Sequence, residues 1–198
     1  MNWDTILQNK KQCVTWKDEI IDKSVIESIM LEVHEHCNSK QNRVPIRLDI
    51  LDWSNVARRN YLFEYATDLD NGHKNTQVLA PWVVCLSMRD VPSLKWKDLV
   101  RIGGIEMGLT AQFIVLAATA RGYDVGFCAC KQGENSDRFS KKMRIPAPDL
   151  MLGIGHYEEK AQQHNPGDGK DYWATVSSAE ANTTHVKPPM EEYVKFHV

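Results

Sequence analysis

The sequence predicts an α+β fold in which helices cover one central sheet. Segments with helical spacing of apolar residues alternate irregularly with short apolar runs that are typical of strands. A long apolar stretch, residues 105–121, predicts a central helix that ends at Gly122, where glycine allows the left-handed turn. The 198 residues correspond most simply to one domain, residues 1–198, in which a loop or linker at 158–189 leads to a C-terminal strand.

The central helix is apolar on nearly all sides, so we expect it to be buried on every face. Gly104, Gly108 and Ala111 place small residues along one side, where another backbone can approach closely. A membrane span is the competing interpretation, but the charge-free run, residues 107–120, is shorter than the roughly 20 residues required. We therefore expect a core helix and no membrane contact.

Periodicity and end signals predict the other elements in chain order. Asp22 or Ser24 can cap the second helix, and alternation from Ile46 to Leu51 predicts a strand with one buried face. The expected helices and strands are these: helices 3–9, 24–36, 54–65 and 136–143, and strands 46–51, 82–88, 125–130, 150–155 and 193–198.

Composition excludes several functional classes. The 24 basic and 26 acidic side chains give a net charge of −2, which argues against nucleic-acid binding by bulk electrostatics. The five cysteines are an odd number without the spacing of a disulfide framework, and no signal peptide precedes Asn2 and Asp4. We therefore expect a cytoplasmic protein without disulfides.

Two clusters have the residue types of a chemical site but also a structural interpretation. His34, His36 and Cys37 are potential zinc ligands, yet positions 34 and 36 of a helix point about 200° apart. We expect no metal. Cys128 and Cys130 on a strand lie about 7 Å apart, which fits neither a disulfide nor a redox pair and favours small buried side chains.

Two basic segments leave a choice open. Lys10-Lys11 and His185-Val186-Lys187 are either solvated surface charge or parts of an anion site. The glycine-rich phosphate loops of dinucleotide-binding and P-loop proteins are missing, and no serine or histidine has the sequence context of a catalytic nucleophile or base.

Several segments together resemble the FMN-dependent nitroreductase family, in the family's order and over essentially the whole chain. The helix and the serine-asparagine turn are the most specific. The matching segments are Lys10-Lys11-Gln12, Ser39-Lys40-Gln41-Asn42-Arg43-Val44-Pro45, Ala80-Pro81, the helix Gly108 to Gly122, Leu152 to His156, and Val186 to Glu192.

The resemblance implies a mostly antiparallel sheet and a domain-entwined homodimer with one FMN at each of two subunit interfaces. Cations and donors from both chain ends would hold the flavin phosphate, residues 39–42 would come from the partner subunit, and backbone amides just after the strand that follows the central helix would meet the flavin N5 and O4 edge. The implied cofactor-binding residues are Lys10, Lys11, Gln12, Ser39, Lys40, Gln41, Asn42, Ala129, Cys130, His185 and Lys187.

The implied activity is transfer of hydride from NADH or NADPH to FMN and then to a flat acceptor such as a nitroaromatic or quinone, with ping-pong kinetics. The flavin carries this chemistry, so no catalytic side chain is expected. Another activity on the same fold, such as reductive dehalogenation or flavin fragmentation, is the nearest alternative. A flavin-binding module without turnover is the alternative from a different class.

The sequence departs from the family pattern at several positions. Lys10 and Gln12 stand where arginine and serine are usual, so a bidentate phosphate contact is lost. Val14 replaces a basic residue near the flavin pyrimidine edge, which alters the expected redox potential. Val44 replaces a common glutamine and Phe113 a frequent asparagine.

Overall fold

The structure, a computed structural model, describes residues 2–9, 12–13, 15–53, 56–66, 75–129, 133–158, 160–161 and 194. Short 3₁₀ turns lie at Lys40–Asn42 and Thr76–Leu79. The helices are α1 Trp3–Asn9, α2 Lys23–His36, α3 Val56–Phe63, α4 Trp96–Ala120 and α5 Gly133–Met143, and the strands are β1 Gln12–Cys13, β2 Ile46–Asp52, β3 Trp82–Met88, β4 Asp124–Cys128, β5 Leu150–Gly155 and β6 Lys160–Ala161.

The strands form one sheet in the order β2-β3-β5-β4-β1-β6. Every neighbouring pair is antiparallel except β1 with β4, which confirms the predicted mostly antiparallel sheet. Two strands, β1 and β6, were not predicted. Each has only two residues, too few to show the alternation by which a strand is recognised in a sequence.

Helices cover both faces of the sheet. Strand β3 is almost wholly buried because alternate side chains enter two different cores. Val84 and Leu86 belong to the core that contains residues of α2 and α4. Val83 and Cys85 belong to a second core, which includes Phe139 of α5. The predicted α+β layering is confirmed.

Helix α2 begins as its sequence predicts. The Asp22 carboxylate accepts hydrogen bonds from the backbone N of Ser24 at 2.8 Å and from its hydroxyl at 2.7 Å, so Asp22 is the N-cap. Ile26, Ile29 and Val33 repeat at helical spacing and are buried. This buried face packs against α4.

Helix α4 is the long central helix that was predicted, but it is not buried on every face. The helix is long and apolar enough to span a membrane, yet 44% of its most apolar segment is buried inside the protein, against α2 and the sheet. Ile105 and Leu109 are 59% and 54% exposed. The prediction of complete burial is therefore wrong, because apolar residues continue onto a face that this chain does not cover.

The predicted terminal strand, residues 193–198, lies outside the described residues except for Val194, which is in neither helix nor strand. Strand β6 falls at the start of the predicted linker 158–189, and most of that linker is outside the described residues as well. Within the described part of the chain, β2 hydrogen-bonds to β3 alone and so forms an edge of the sheet.

Candidate functional site

Strand β1 lies beside the first half of β4. Ala129 follows β4 and is exposed, and Gln12 on β1 is in register with Val125 on β4. Gly126 permits this pairing, because a Cβ at this position would overlap the carbonyl of Cys13. Of these two predicted site residues, Gln12 lies on the strand beside β4, and Ala129 lies four residues after Val125, the residue opposite Gln12, so the two are roughly 13 Å apart along the strand direction.

Two buried polar residues support the end of β4. Asn75 is fully buried, and its side-chain amide donates to the carbonyl of Cys128 at 3.4 Å while its oxygen accepts from the backbone N of Gln77 at 3.1 Å. Gln77 is 1% exposed, and its Oε1 has no hydrogen-bond partner among the described residues. The sequence analysis missed Asn75 and Gln77, because a polar segment before Ala80-Pro81 is typical of an exposed loop.

The segment Ser39 to Pro45, here called the 39–45 loop, contains four other predicted site residues, Ser39 to Asn42, and has an unusual backbone conformation. Gln41, Asn42 and Val44 have positive φ values of 57°, 51° and 44°. Such angles are uncommon outside glycine, and for a β-branched valine they cost of order 1–3 kcal/mol. The loop keeps this conformation only because surrounding contacts determine it.

Those contacts come from two other elements. The backbone N of Lys40 donates to Oε1 of Glu106 at 2.8 Å, and Glu106, on α4, is only 5% exposed. Arg89, which follows β3, donates to the carbonyl of Val44 at 3.0 Å and to that of Arg43 at 2.6 Å. Both ends of the loop are therefore fixed by charged side chains.

A pocket of about 340 Å³ opens between the 39–45 loop and α4. Its apolar part is formed by α4, and its polar part is shared between residues 38–40 and the Arg101 and Glu106 side chains of α4. The lining residues are Asn38, Ser39, Lys40, Arg101, Ile102, Ile105, Glu106 and Leu109.

The 39–45 loop and Ala129 lie at the same end of the sheet but not together. The register of β2 with β3, β3 with β5 and β5 with β4 places Ile46, Met88, Leu150 and Cys128 near that end. Because β3 and β5 lie between β2 and β4, the separation across the sheet is roughly 14 Å, or three strand spacings. One chain therefore does not bring the loop and Ala129 to the same point.

The solved structures to which this architecture is similar are nitroreductases. A nitroreductase family protein from Streptococcus pneumoniae matches with a TM-score of 0.68 at 12% sequence identity, over 99% of this chain and 100% of the other. The chain has the nitroreductase fold. A nitroreductase with bound FMN from Desulfitobacterium hafniense matches with a TM-score of 0.60 at 18% identity, over 84% of this chain and 95% of that one.

The same fold occurs in the NADPH:FMN oxidoreductase from Vibrio harveyi complexed with NAD+, with a TM-score of 0.63 at 15% identity, over 82% of this chain and 72% of that one. No protein-family model and no curated protein matches the sequence. The likeness is therefore one of three-dimensional structure, and it confirms the nitroreductase-like fold that the sequence motifs predicted.

The phosphate-binding half of the predicted site stays a prediction. Lys10, Lys11, Cys130, His185 and Lys187 lie outside the described residues. Among the residues that the structure does describe, no group of three potential metal ligands comes together.

One expectation about cysteines is wrong. Cys128 is disulfide-bonded, whereas Cys13, Cys37 and Cys85 are free. The sequence predicts an extended strand that continues to residue 130, but β4 ends at Cys128.

Proposed function

We propose that this chain is an FMN-dependent oxidoreductase that takes hydride from NADH or NADPH and reduces a flat acceptor such as a nitroaromatic or quinone. The observation that carries the proposal is the likeness to nitroreductases, one of them with bound FMN, over most or all of the chain. The likeness to an NADPH:FMN oxidoreductase with NAD+ supports a nicotinamide donor.

The described residues fit a bound flavin. Ser39, Lys40 and Asn42 offer a hydroxyl, a cation and an amide from one preformed loop, which suits recognition of an oxygen-rich ribityl phosphate. Ala129 is exposed where the backbone leaves β4, so its amide is a donor for the polar edge of the ring. Lys10, Lys11, Gln12, Cys130, His185 and Lys187 complete the proposed set.

We infer that the active form is a homodimer, because the uncovered face of α4 is both apolar and open. A Cβ at Gly104 or Gly108 would meet nothing within 4 Å, so a second helix can approach the backbone there. Large apolar side chains left exposed on two helices that contact each other favour an interface. Its exposed apolar residues, on α1 and α4, are Trp3, Leu7, Trp96, Val100, Ile105 and Leu109.

A dimer also explains how a site could include residues that one chain holds apart. In the proposed dimer, the 39–45 loop of the partner reaches a flavin bound at Ala129. The 39–45 loop of the chain that carries this Ala129 lies roughly 14 Å away from it. The seven-residue edge of β2 supports an entwined assembly, in which residues 193–198 of the partner add a strand to it.

When bound, FMN supplies the hydride-accepting and hydride-donating N5, so the chain itself needs no acid or base. The proposed work of the protein is to fix the ring through the backbone at Ala129 and the tail through the 39–45 loop. One ring face stays open for donor and acceptor in turn, which gives ping-pong kinetics. We propose a cytoplasmic location, where reduced nicotinamides are available.

The test is reconstitution followed by turnover. Purified protein should bind FMN, shown by quenching of flavin fluorescence, and should oxidise NADH or NADPH when a nitroaromatic or quinone is added. Parallel initial-rate lines at varied donor and acceptor would establish ping-pong order. Protein that cannot bind FMN at all refutes the proposal, while protein that binds FMN but oxidises neither nicotinamide with any acceptor is a flavin-binding module.

A further inference from the structure

We infer that Glu106 and Arg89 are positioning residues that hold the 39–45 loop in its cofactor-binding conformation before the cofactor arrives. This inference rests on the proposed function, because it concerns the same flavin. Neither residue was among the predicted site residues. Their role is argued from contacts with the loop backbone, so it does not require either side chain to touch the flavin.

Glu106 holds the beginning of the loop. Glu106 is 5% exposed, and its carboxylate accepts the backbone N–H of Lys40 at 2.8 Å. Burial of the Glu106 carboxylate costs free energy, because the carboxylate loses its hydrogen bonds to water. The hydrogen bond from the Lys40 N–H to this charged acceptor offsets part of that cost. If the loop left its position, the carboxylate would lose this partner while its helix stayed in the core.

Arg89 holds the end of the loop. Its guanidinium donates to the carbonyls of Val44 and Arg43 at 3.0 and 2.6 Å, and its own backbone N donates to the carbonyl of Pro45 at 2.9 Å. The planar guanidinium presents several donors in a fixed arrangement, so two neighbouring carbonyls are bound in one geometry. An exposed arginine thus fixes the orientation of two peptide groups.

The backbone between these two contacts explains why they are needed. Gln41, Asn42 and Val44 all have positive φ, and one further bond, from the backbone N of Val44 to the Ser39 hydroxyl at 2.8 Å, closes the loop. Without outside contacts, such residues relax to negative φ. The side chains of Lys40 to Asn42 would then no longer be held in one orientation for the proposed cofactor.

The consequence for the cofactor is quantitative. An apparent dissociation constant rises by the inverse of the fraction of molecules in the competent conformation. If loss of one contact leaves the loop competent in about one molecule in ten, FMN binds about tenfold more weakly. The effect lies in binding and not in the hydride-transfer step.

The experiment measures the loop and the cofactor separately. Glu106→Leu and Arg89→Met remove the contacts, while Glu106→Gln keeps an acceptor oxygen for Lys40 and Arg89→Lys keeps a cation without the planar fork. Arg138→Met is the matched control, because Arg138 is an exposed arginine on α5 that contacts the Tyr65 ring at 5.0 Å, away from the loop. Each full-length variant is assayed for amide hydrogen exchange over residues 39–45, trypsin cleavage after Arg43, and FMN dissociation constant.

We expect Glu106→Leu and Arg89→Met to speed exchange and cleavage in the loop and to weaken FMN binding about tenfold. Glu106→Gln should recover most of the affinity, and Arg138→Met should match the wild type in all three assays. Because Arg89 is exposed, Arg89→Met keeps the test valid if Glu106→Leu does not fold.

Three outcomes separate this inference from the proposed function. Wild-type protein that does not bind FMN refutes the proposed function, and the cofactor role of both residues with it. Wild-type protein that binds FMN, with variants that exchange faster but bind equally well, overturns the inference alone. Unchanged exchange in Glu106→Leu and Arg89→Met also overturns it, because the loop then keeps its conformation without them.

Discussion

Gly126 shows how a single residue determines which strands can meet beside the candidate site. The pairing of β1 with β4 brings the carbonyl of Cys13 into the space that a side chain at position 126 would occupy. The sequence shows only a glycine within an apolar strand, which is consistent with a bulge, a bend or a close approach. Which of these applies depends on a two-residue strand that leaves no periodic signal.

Gly126→Ala should destabilise the protein by about 1–3 kcal/mol, because a methyl group is forced against backbone atoms that cannot turn away. Urea denaturation measures this free energy of unfolding. Gly103→Ala is the matched control, since its Cβ would meet the Met88 side chain at an ordinary 3.6 Å and alanine favours the helix. Equal stability of Gly126→Ala and the wild type would show that β1 does not lie against β4.

Asp22 gives a pH-dependent prediction at the start of α2. Hydrogen bonds from the Ser24 hydroxyl and backbone N lower the pKa of the Asp22 carboxyl below its ordinary value of 3.8. A carboxyl whose folded-state pKa is lowered adds stability above the unfolded-state value, and this stability is lost as pH falls through the folded-state pKa. The N-cap therefore weakens in acid.

The measurement compares thermal midpoints of the wild type, Asp22→Asn and Asp22→Ala from pH 7 down to about pH 2, across the ordinary range of the Asp pKa. Asparagine also caps helices but does not titrate, so the stability of Asp22→Asn relative to the wild type should increase as the pH falls. Asp22→Ala should have the lowest midpoint at pH 7. A constant difference between wild type and Asp22→Asn at every pH would contradict the proposed origin of the lowered pKa.

At the scale of elements, the sequence predicts the helices and strands that have a periodic apolar pattern. It does not predict features that depend on tertiary contacts. Helices α1 and α2 and strands β3 and β5 lie where the apolar pattern places them. The site is less accessible to such reasoning. Motifs identify the 39–45 loop, but its positive φ angles depend on Glu106 and Arg89, whose positions in the sequence give no indication that they contact it.

Helix α4 shows that composition alone does not predict what covers an apolar helix. Its composition predicts burial all round, yet composition cannot say whether the covering surface belongs to the same chain or to another. Ile105 and Leu109 are exposed in one chain and lie on the face that we propose packs against a partner. The predicted burial was wrong for the single chain because the apolar residues of α4 extend onto an exposed face, which we propose binds a partner.

Ile105→Arg should convert the proposed dimer into monomers, because a guanidinium cannot be buried at an apolar helix contact without a partner charge. Sedimentation velocity measures the change in mass. Ile20→Arg is the control, since Ile20 is 87% exposed and lies outside α1 and α4. If the wild type sediments as a monomer, or if Ile105→Arg stays dimeric while folded, the α4 face is not the interface.

For the whole molecule, the separation of Ala129 from the 39–45 loop leads us to predict that cofactor binding and subunit association are coupled in the proposed dimer. If each FMN contacts Ala129 of one chain and residues 39–42 of the other, only the dimer contains a complete site. For each FMN, binding then favours the dimer, and the dimer favours binding, by the same factor. A site made within one chain would show no such reciprocity.

Two titrations should therefore agree. The apparent FMN dissociation constant should rise as wild-type protein is diluted below its dimer dissociation constant, and saturating FMN should lower that dimer constant by the square of the same factor, because each proposed dimer binds two FMN. Folded, monomeric Ile105→Arg should bind FMN much more weakly than the wild type and gain little thermal stability from it, whereas FMN at 100 times its dissociation constant should stabilise the wild type by about 2.7 kcal/mol. Ile20→Arg should follow the wild type in both titrations. If monomeric Ile105→Arg binds FMN as tightly as the wild type, each chain holds its cofactor alone, and the 39–45 loop acts on a flavin within its own subunit or on none.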